Sequence, residues 1–252
     1  MDLGLKDKIV IISGATGGIG TAICNAFLNE GAIIIPLFRN EAKYEILSAY
    51  LNLQGFNADK IFPQKIDMSD SKSIENVVKN IKHNYKRIDV LINNAGKSTE
   101  RPFLLLEEDE WENEIDVNLN NTARLLRVVL KQMFIAKCGA VVNITSLHSQ
   151  RFGRGVSAYA AAKAGVDRLT QALALEVGSK GIRINSVCPG IIETQMSKPL
   201  IDRAGDFLIS QTALNRFGKS EEVAQAVLFL ASENASSFIT GHSLRIDGGY
   251  GI

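Results

Sequence analysis

From end to end the chain alternates short, nearly continuous apolar runs with longer stretches of helical spacing, and that alternation limits the fold more than any other feature. Ile9–Ser13 is a β-branched run that stops at glycine. Helical spacing at Ile19, Ile23, Ala26 and Phe27 follows, closed by Gly31. Ile33–Phe38 is a second strand despite Pro36, which cannot donate a ladder hydrogen bond. Residues 42–54 form a helix ahead of Gly55, and 61–66 a third strand interrupted by Pro63. Asp70 and Ser71 cap a helix reaching about Tyr85, with Ile74, Val77, Val78 and Ile81 on one face. Further strands are expected at Val90–Asn93, 141–144, 184–187 and 244–246, and further helices at 108–137, Ser157–Val177 and Ser220–Ala231. Apolar strands separated by helices imply a parallel sheet covered on both faces. The expected fold is α/β: a single, doubly wound, seven-stranded Rossmann-type domain over residues 1–252. The irregular stretch near 193–216 is placed as a mobile lid.

Length and charge narrow the function classes. At 252 residues and 46% hydrophobic composition the chain can bury a sizeable core. Lys+Arg 28 against Asp+Glu 27 gives no basic surface for a nucleic acid or an anionic membrane. The longest apolar runs, 32–38 and 226–231, fall far short of the roughly 18 residues that suggest a membrane span. The start, Met1-Asp2-Leu3-Gly4, lacks a secretory pattern. Cys24, Cys138 and Cys188 are an odd set with no C-x-x-C pair, which reads as reduced thiols and a cytoplasmic location. His83, His148 and His242 show no ligand spacing, so no metal site is expected.

The first strand runs into Ser13-Gly14-Ala15-Thr16-Gly17-Gly18-Ile19-Gly20 and then a helix. Glycines there let backbone approach a pyrophosphate, and a helix N-terminus favours its charge. Gly14, Thr16, Gly18, Ile19 and Gly20 are therefore candidate phosphate contacts; the alternative is an ordinary glycine-rich turn. Gly218-Lys219-Ser220 is not a nucleotide-triphosphate loop, because Ala213 stands where glycine is required. Tyr159 and Lys163 lie four residues apart near the start of a helix, on one face. A nearby ammonium is expected to lower the phenol pKa from about 10 and ready it for proton exchange with an alcohol or carbonyl. Asn93-Asn94-Ala95-Gly96, Ser146 and Pro189-Gly190 each follow a strand, at the edge where open α/β sheets bind ligands.

With these segments in this order, the sequence resembles the short-chain dehydrogenase/reductase family over essentially its whole length. The resemblance implies a tetrad of Asn118, Ser146, Tyr159 and Lys163, with Ser146 preceding Tyr159 by 13 residues. It implies hydride transfer between a nicotinamide and a carbonyl carbon. Tyr159 would give the proton and Ser146 would steady the developing negative charge. Lys163 would hold the ribose, and Asn118 would anchor a proton-relaying water. Asn94, Ala95, Gly96, Pro189, Gly190 and Thr194 would line the cofactor, and Asp67 would contact adenine or else cap a helix. Phe38 stands where NAD-dependent members carry Asp, and Arg39 follows it. A guanidinium fits a 2′-phosphate, so NADP(H) is expected over NAD(H), unless Arg39 is a solvated loop residue.

Within the family the segments look most like bacterial β-ketoacyl-acyl-carrier-protein reductases. Lys137 and Lys180 match basic positions those enzymes use to dock an acidic carrier, or are two solvated lysines. The expected reaction is therefore NADPH-dependent reduction of a β-keto group on a carrier-bound or small-molecule substrate. The other readings are an NADP-linked dehydrogenase of a sugar acid, sterol or other secondary alcohol, and a non-catalytic Rossmann-type regulatory protein. Leu147-His148-Ser149-Gln150-Arg151-Phe152-Gly153-Arg154 is bulky and basic for a pocket border, and either binds an anion or faces solvent. A homotetramer is implied by family analogy.

Overall fold

Seven strands, β1 (Ile9–Ser13), β2 (Ile33–Phe38), β3 (Gln64–Lys65), β4 (Val90–Asn93), β5 (Gly139–Ile144), β6 (Ile182–Pro189) and β7 (Ser243–Ile246), lie in the order β3-β2-β1-β4-β5-β6-β7. Every pairing is parallel. The computed structural model describes residues 2–151 and 153–251; Phe152 of the basic segment lies outside them. The helices are α1 (Gly18–Asn29), α2 (Glu41–Leu53), α3 (Ser71–Tyr85), α4 (Glu108–Ile115), α5 (Asn121–Ala136), α6 (Ser157–Val177), α7 (Lys198–Ser210), α8 (Ser220–Ala231) and α9 (Glu233–Ser236).

Every residue of β1, β4 and β6 is buried, because helices cover both faces. On one face Ile23 and Phe27 of α1 and Val227 and Leu230 of α8 pack on Val10, Ile12 and Ile92. On the other, Ile74 and Val78 of α3 and Leu125 and Val129 of α5 pack on Ile11, Leu91 and Ile184. Each such side chain contributes about 1.5–3 kcal/mol of burial free energy. Strand order reverses between β1 and β4, and a crevice opens there at the carboxyl ends.

Three details differ from the sequence expectation. The third strand shrinks from 61–66 to two residues plus a bridge at Ile61, because Pro63 has no N–H to give. That gap also accommodates Pro36. Ile34 and Phe38, two residues either side, give their carbonyls to Phe62 and Ile66, so the backbone of Pro36 faces the interrupted strand. The long helix expected over 108–137 contains a π-helical turn at Asp116–Asn120 between α4 and α5. The stretch near 193–216 is not irregular: it holds α7, with a kink at Ala204. Among the described residues no helix is long and apolar enough to cross a membrane.

Candidate active site

The crevice between β1 and β4 is bounded by backbone. Gly14 takes φ +62°, open to glycine at little cost, and a Cβ there would lie 2.7 Å from Ala95 Cα. A Cβ on Gly20 would lie 2.1 Å from the Gly14 carbonyl oxygen. The Asn94 side-chain amide donates to that same carbonyl at 2.9 Å, and Ser13 Oγ accepts from the Asn94 and Ala95 amides at 3.1 and 3.2 Å. The two loops are thus locked together. The N-terminus of α1 has no side-chain cap and no acid in its first turn, and Gly17 and Gly18 leave its backbone exposed. Such an end attracts an anion.

The side chains of the expected tetrad come together from the π turn, the end of β5 and α6. Ser146 follows β5, is buried, and accepts from the His148 amide at 3.2 Å. Lys163 is buried and its Nζ donates to the Ile144 carbonyl at 2.9 Å, 5.8 Å from the centre of the Tyr159 ring. Asn118 is fully buried in the π turn. Its Oδ1 accepts from the Lys97 amide at 3.1 Å and its Nδ2 donates to the Lys97 carbonyl at 2.9 Å.

A polar seam beneath the site holds these groups. Asn93 Nδ2 donates to Asn143 Oδ1 at 2.8 Å, and Asn143 Nδ2 donates to Thr170 Oγ1, also at 2.8 Å. Asp167, one turn beyond Lys163, accepts from Ser149, from Ser186 at 2.6 Å and from Ser243 at 3.2 Å. Asp167 thereby ties α6 to β6, β7 and the turn after Ser146. Asp167 and the buried Glu114 were not singled out in the sequence, although each stands four residues from a tetrad member.

The expected lowering of the Tyr159 pKa is reversed. Burial pushes the phenol above its ordinary value, Ser146 opposes the rise by hydrogen bonding, and Glu114 and Cys188 add to it. The physical reason is that Lys163 shares the burial, which pushes its own ammonium down to about 8, against the pull of Asp167 and Glu114. Burial therefore favours the protonated phenol.

Farther along the crevice, Phe38 is buried and stacks on Tyr44 at 4.5 Å, while Arg39 is exposed. Asp67 accepts from the Ser69 amide at 2.9 Å and hydroxyl at 2.7 Å, which with the nearby Arg39 holds its carboxyl below the usual range. The cap of α3 is Asp70, not Asp67. Pro189 ends β6, and the Gly190 amide donates to the Ile246 carbonyl at 2.9 Å. Thr194 lies over the glycine loop: a Cβ on Gly18 would be 3.0 Å from its methyl.

The family profile described as enoyl-(acyl carrier protein) reductase matches residues 14–251. The 3-oxoacyl-[acyl-carrier-protein] reductase of Salmonella typhimurium is 36% identical over 247 residues, 98% of each chain. That of Thermotoga maritima is 38% identical over 245 residues, 97% of this chain and 98% of its own. Among solved structures, one titled gox2181 superposes with a TM-score of 0.92 at 30% identity, covering 98% of this chain and 97% of that one. A putative gluconate dehydrogenase from Agrobacterium tumefaciens gives 0.93 at 27% identity, covering 99% and 98%. The chain belongs to the short-chain dehydrogenase/reductase family. It is an NAD(P)-dependent oxidoreductase that acts on a hydroxyl or the corresponding ketone.

Proposed function

We propose that the protein is an NADPH-dependent reductase of the β-keto group of a 3-oxoacyl chain borne by an acyl-carrier protein. One observation carries this reading. Asn118, Ser146, Tyr159 and Lys163 converge beside an uncapped helix N-terminus, in a chain 36–38% identical over nearly its full length to two 3-oxoacyl-[acyl-carrier-protein] reductases. The proposed unit is one domain with α7 in its lid, latched by an exposed Arg203–Glu100 pair of the kind worth about 0–1 kcal/mol. We also place it in the cytoplasm as a homotetramer. Exposed Phe134, Ile135, Leu175 and Phe238 are apolar surface that such an assembly would cover.

The residues present suit a nicotinamide dinucleotide. The free amides at the start of α1 would take its pyrophosphate, the close approach at Gly14 and Gly20 leaves room only for backbone, and Arg39 would pair with a 2′-phosphate. Asn94, Ala95, Gly96, Pro189, Gly190 and Thr194 would line the rest, and Asp67 the adenine end. When bound, the cofactor supplies the hydride. Tyr159, kept protonated by burial, gives its proton to the carbonyl oxygen. Ser146 Oγ hydrogen-bonds that oxygen and stabilises its growing charge. Lys163, anchored on the Ile144 carbonyl, holds a ribose hydroxyl and a positive charge beside the phenol. Asn118 fixes the loop at Lys97 and orders the path by which Tyr159 regains a proton.

Lys137 ends α5 and Lys180 follows α6; Lys180 stands over the Phe134 ring at 5.2 Å, and a Cβ on Gly181 would be 2.9 Å from the Lys137 carbonyl oxygen. The two lysines thus share one rim. That rim lies at the amino ends of β5 and β6, about 20 Å along the strand from Ser146. A carrier held there must deliver its acyl chain across that distance or to a neighbouring copy. The test is a rate screen of β-ketoacyl-carrier and small β-ketoacyl thioester substrates with both cofactors. Lys137→Glu with Lys180→Glu should raise KM for the carrier substrate and leave the thioester unchanged, with added salt shrinking the difference. Arg39→Ala should weaken NADPH far more than NADH. Equal handling of the carrier substrate by the double variant would remove the docking reading.

A sugar acid or other polar secondary alcohol is the second reading. His148 Nδ1 is buried with no hydrogen-bond partner among the described residues, two residues beyond Ser146, and burial pushes its imidazole toward the neutral form. A hydroxylated substrate turning over faster than any β-ketoacyl compound in the same screen would favour it.

A further inference from the structure

Glu114 is 1% exposed, on α4, one helical turn before Asn118. Its Oε1 accepts from the Thr99 amide at 3.2 Å and lies 3.4 Å from Asn118 Nδ2, which also donates to the Glu114 carbonyl at 3.0 Å. Its Oε2 is buried without a hydrogen-bond partner among the described residues. The Lys97 ammonium stands 3.9 Å from that oxygen, on a side chain 36% exposed. Asn118 in turn faces Lys163: a Cβ on Gly96 would lie 2.8 Å from Asn118 Oδ1 and 3.3 Å from Lys163 Nζ. A series Tyr159, Lys163, Asn118, Glu114, Lys97 therefore leads from the site toward solvent. Receiving the Thr99 and Asn118 groups requires one acceptor oxygen, which an amide would provide. A buried carboxylate whose second oxygen has no hydrogen bond and only a distant, partly exposed ammonium for a partner is unfavourable, so its charge calls for a reason.

We propose that Glu114 is a positioning residue of the reaction, holding Asn118 from below and, with Lys97, setting a fixed negative charge behind Lys163 and Tyr159. This rests on the assignment of Tyr159 and Lys163 given above. The other groups facing the pair are Asp167 from α6 and Cys188 from β6. Glu114 raises the proton affinity of both Lys163 and Tyr159. Removing its charge lets both lose their protons at lower pH. Reduction needs the protonated phenol, so the alkaline limb of kcat moves down.

The experiment is the pH profile of kcat for ketone reduction, with NADPH affinity measured by fluorescence to confirm an intact fold. Glu114→Gln keeps the shape and the Oε1 acceptor and should move the alkaline limb down by about half a pH unit or more, as expected when one buried charge behind the pair is removed. Glu114→Asp keeps the charge and should retain the wild-type limb. Lys97→Glu makes the surroundings more negative whichever carboxyl then holds a proton, and should move the limb up. Should Glu114→Gln fail to fold, the partly exposed Lys97 position carries the test alone. An unmoved limb in Glu114→Gln or Lys97→Glu overturns the inference, as does an equal shift in Glu114→Asp and Glu114→Gln. Tyr159→Phe separates the two levels. If it is inactive while the Glu114→Gln limb stays put, only this inference falls; if it is active, the Tyr159 assignment falls.

Discussion

Around β1 and β2 the carboxyl edge of the sheet offers a ligand little besides backbone, whereas around β4, β5 and β6 it offers side chains, buried and tied to one another. On the first side the working features are an uncapped helix start and glycines whose missing Cβ atoms let two loops touch. On the second, Asn93, Asn143 and Thr170 form a chain of 2.8 Å hydrogen bonds, and Asp167 collects three serine hydroxyls. Backbone binding suits a ligand whose phosphates recur whatever the substrate. Buried side chains suit chemistry that depends on proton affinity, since the low local dielectric magnifies each charge. The two sides should therefore fail in different ways.

The largest effect is expected at Tyr159→Phe, which removes the donated proton and keeps the ring. The rate of the chemical step, read by single-turnover NADPH oxidation, should fall by roughly 10²–10⁴ while cofactor affinity barely changes. Near wild-type turnover would mean that the side-chain half does not carry the acid.

Gly20→Ala attacks the other side. Its new Cβ, 2.1 Å from the Gly14 oxygen and 2.8 Å from Ala15 Cα, has to push the loop aside. We expect loss of cofactor affinity by at least about tenfold in a fluorescence titration, with overpacking costing about 1–3 kcal/mol of stability. Unchanged affinity would show that the loop tolerates side chains and that backbone approach is not what the crevice requires.

Thr170→Val should be mildest. It preserves volume but leaves the Asn143 amide without an acceptor in a buried place, at about 1–3 kcal/mol by urea denaturation. A neutral result would mean that the seam beneath the site adds little to stability.

The two halves also differed in how far they could be read in the sequence. Glycine spacing and strand-helix alternation are local, so the loop at Gly14, the bounds of α6 and the parallel seven-stranded sheet follow from pattern. The same pattern misjudged 193–216, because Pro199 and Gly205 obscure the periodicity of a helix that kinks at Ala204. The side-chain half depends on distant partners. Ser186 and Ser243 meet Asp167 only after β6 and β7 pair, and nothing near Asp167 in sequence announces them. Glu114 follows the acidic run Glu107-Glu108-Asp109-Glu110 by one turn, a stretch that reads as a solvated helix start, and only packing separates it from its exposed neighbours. The direction of the Tyr159 shift was misjudged for a related reason. Spacing reveals a neighbouring lysine, but not that both groups lose water together.

The π turn at Asp116–Asn120 carries one residue more than a regular α turn would need, and α-helical residues follow one another by about 100° around the axis. Deleting one residue there would restore regular winding and swing everything on one side of the cut by that angle. Asn118 would leave Lys97, or the buried face of α5 running from Thr122 to Met133 would leave the sheet. The inward aim of Asn118 is thus encoded in chain length rather than in residue type. Point substitution can erase the asparagine but cannot build its setting. A lineage acquires or loses that setting through a single-codon insertion or deletion, so a one-residue length difference in this helix would mark a change of chemistry even where every flanking residue is unchanged.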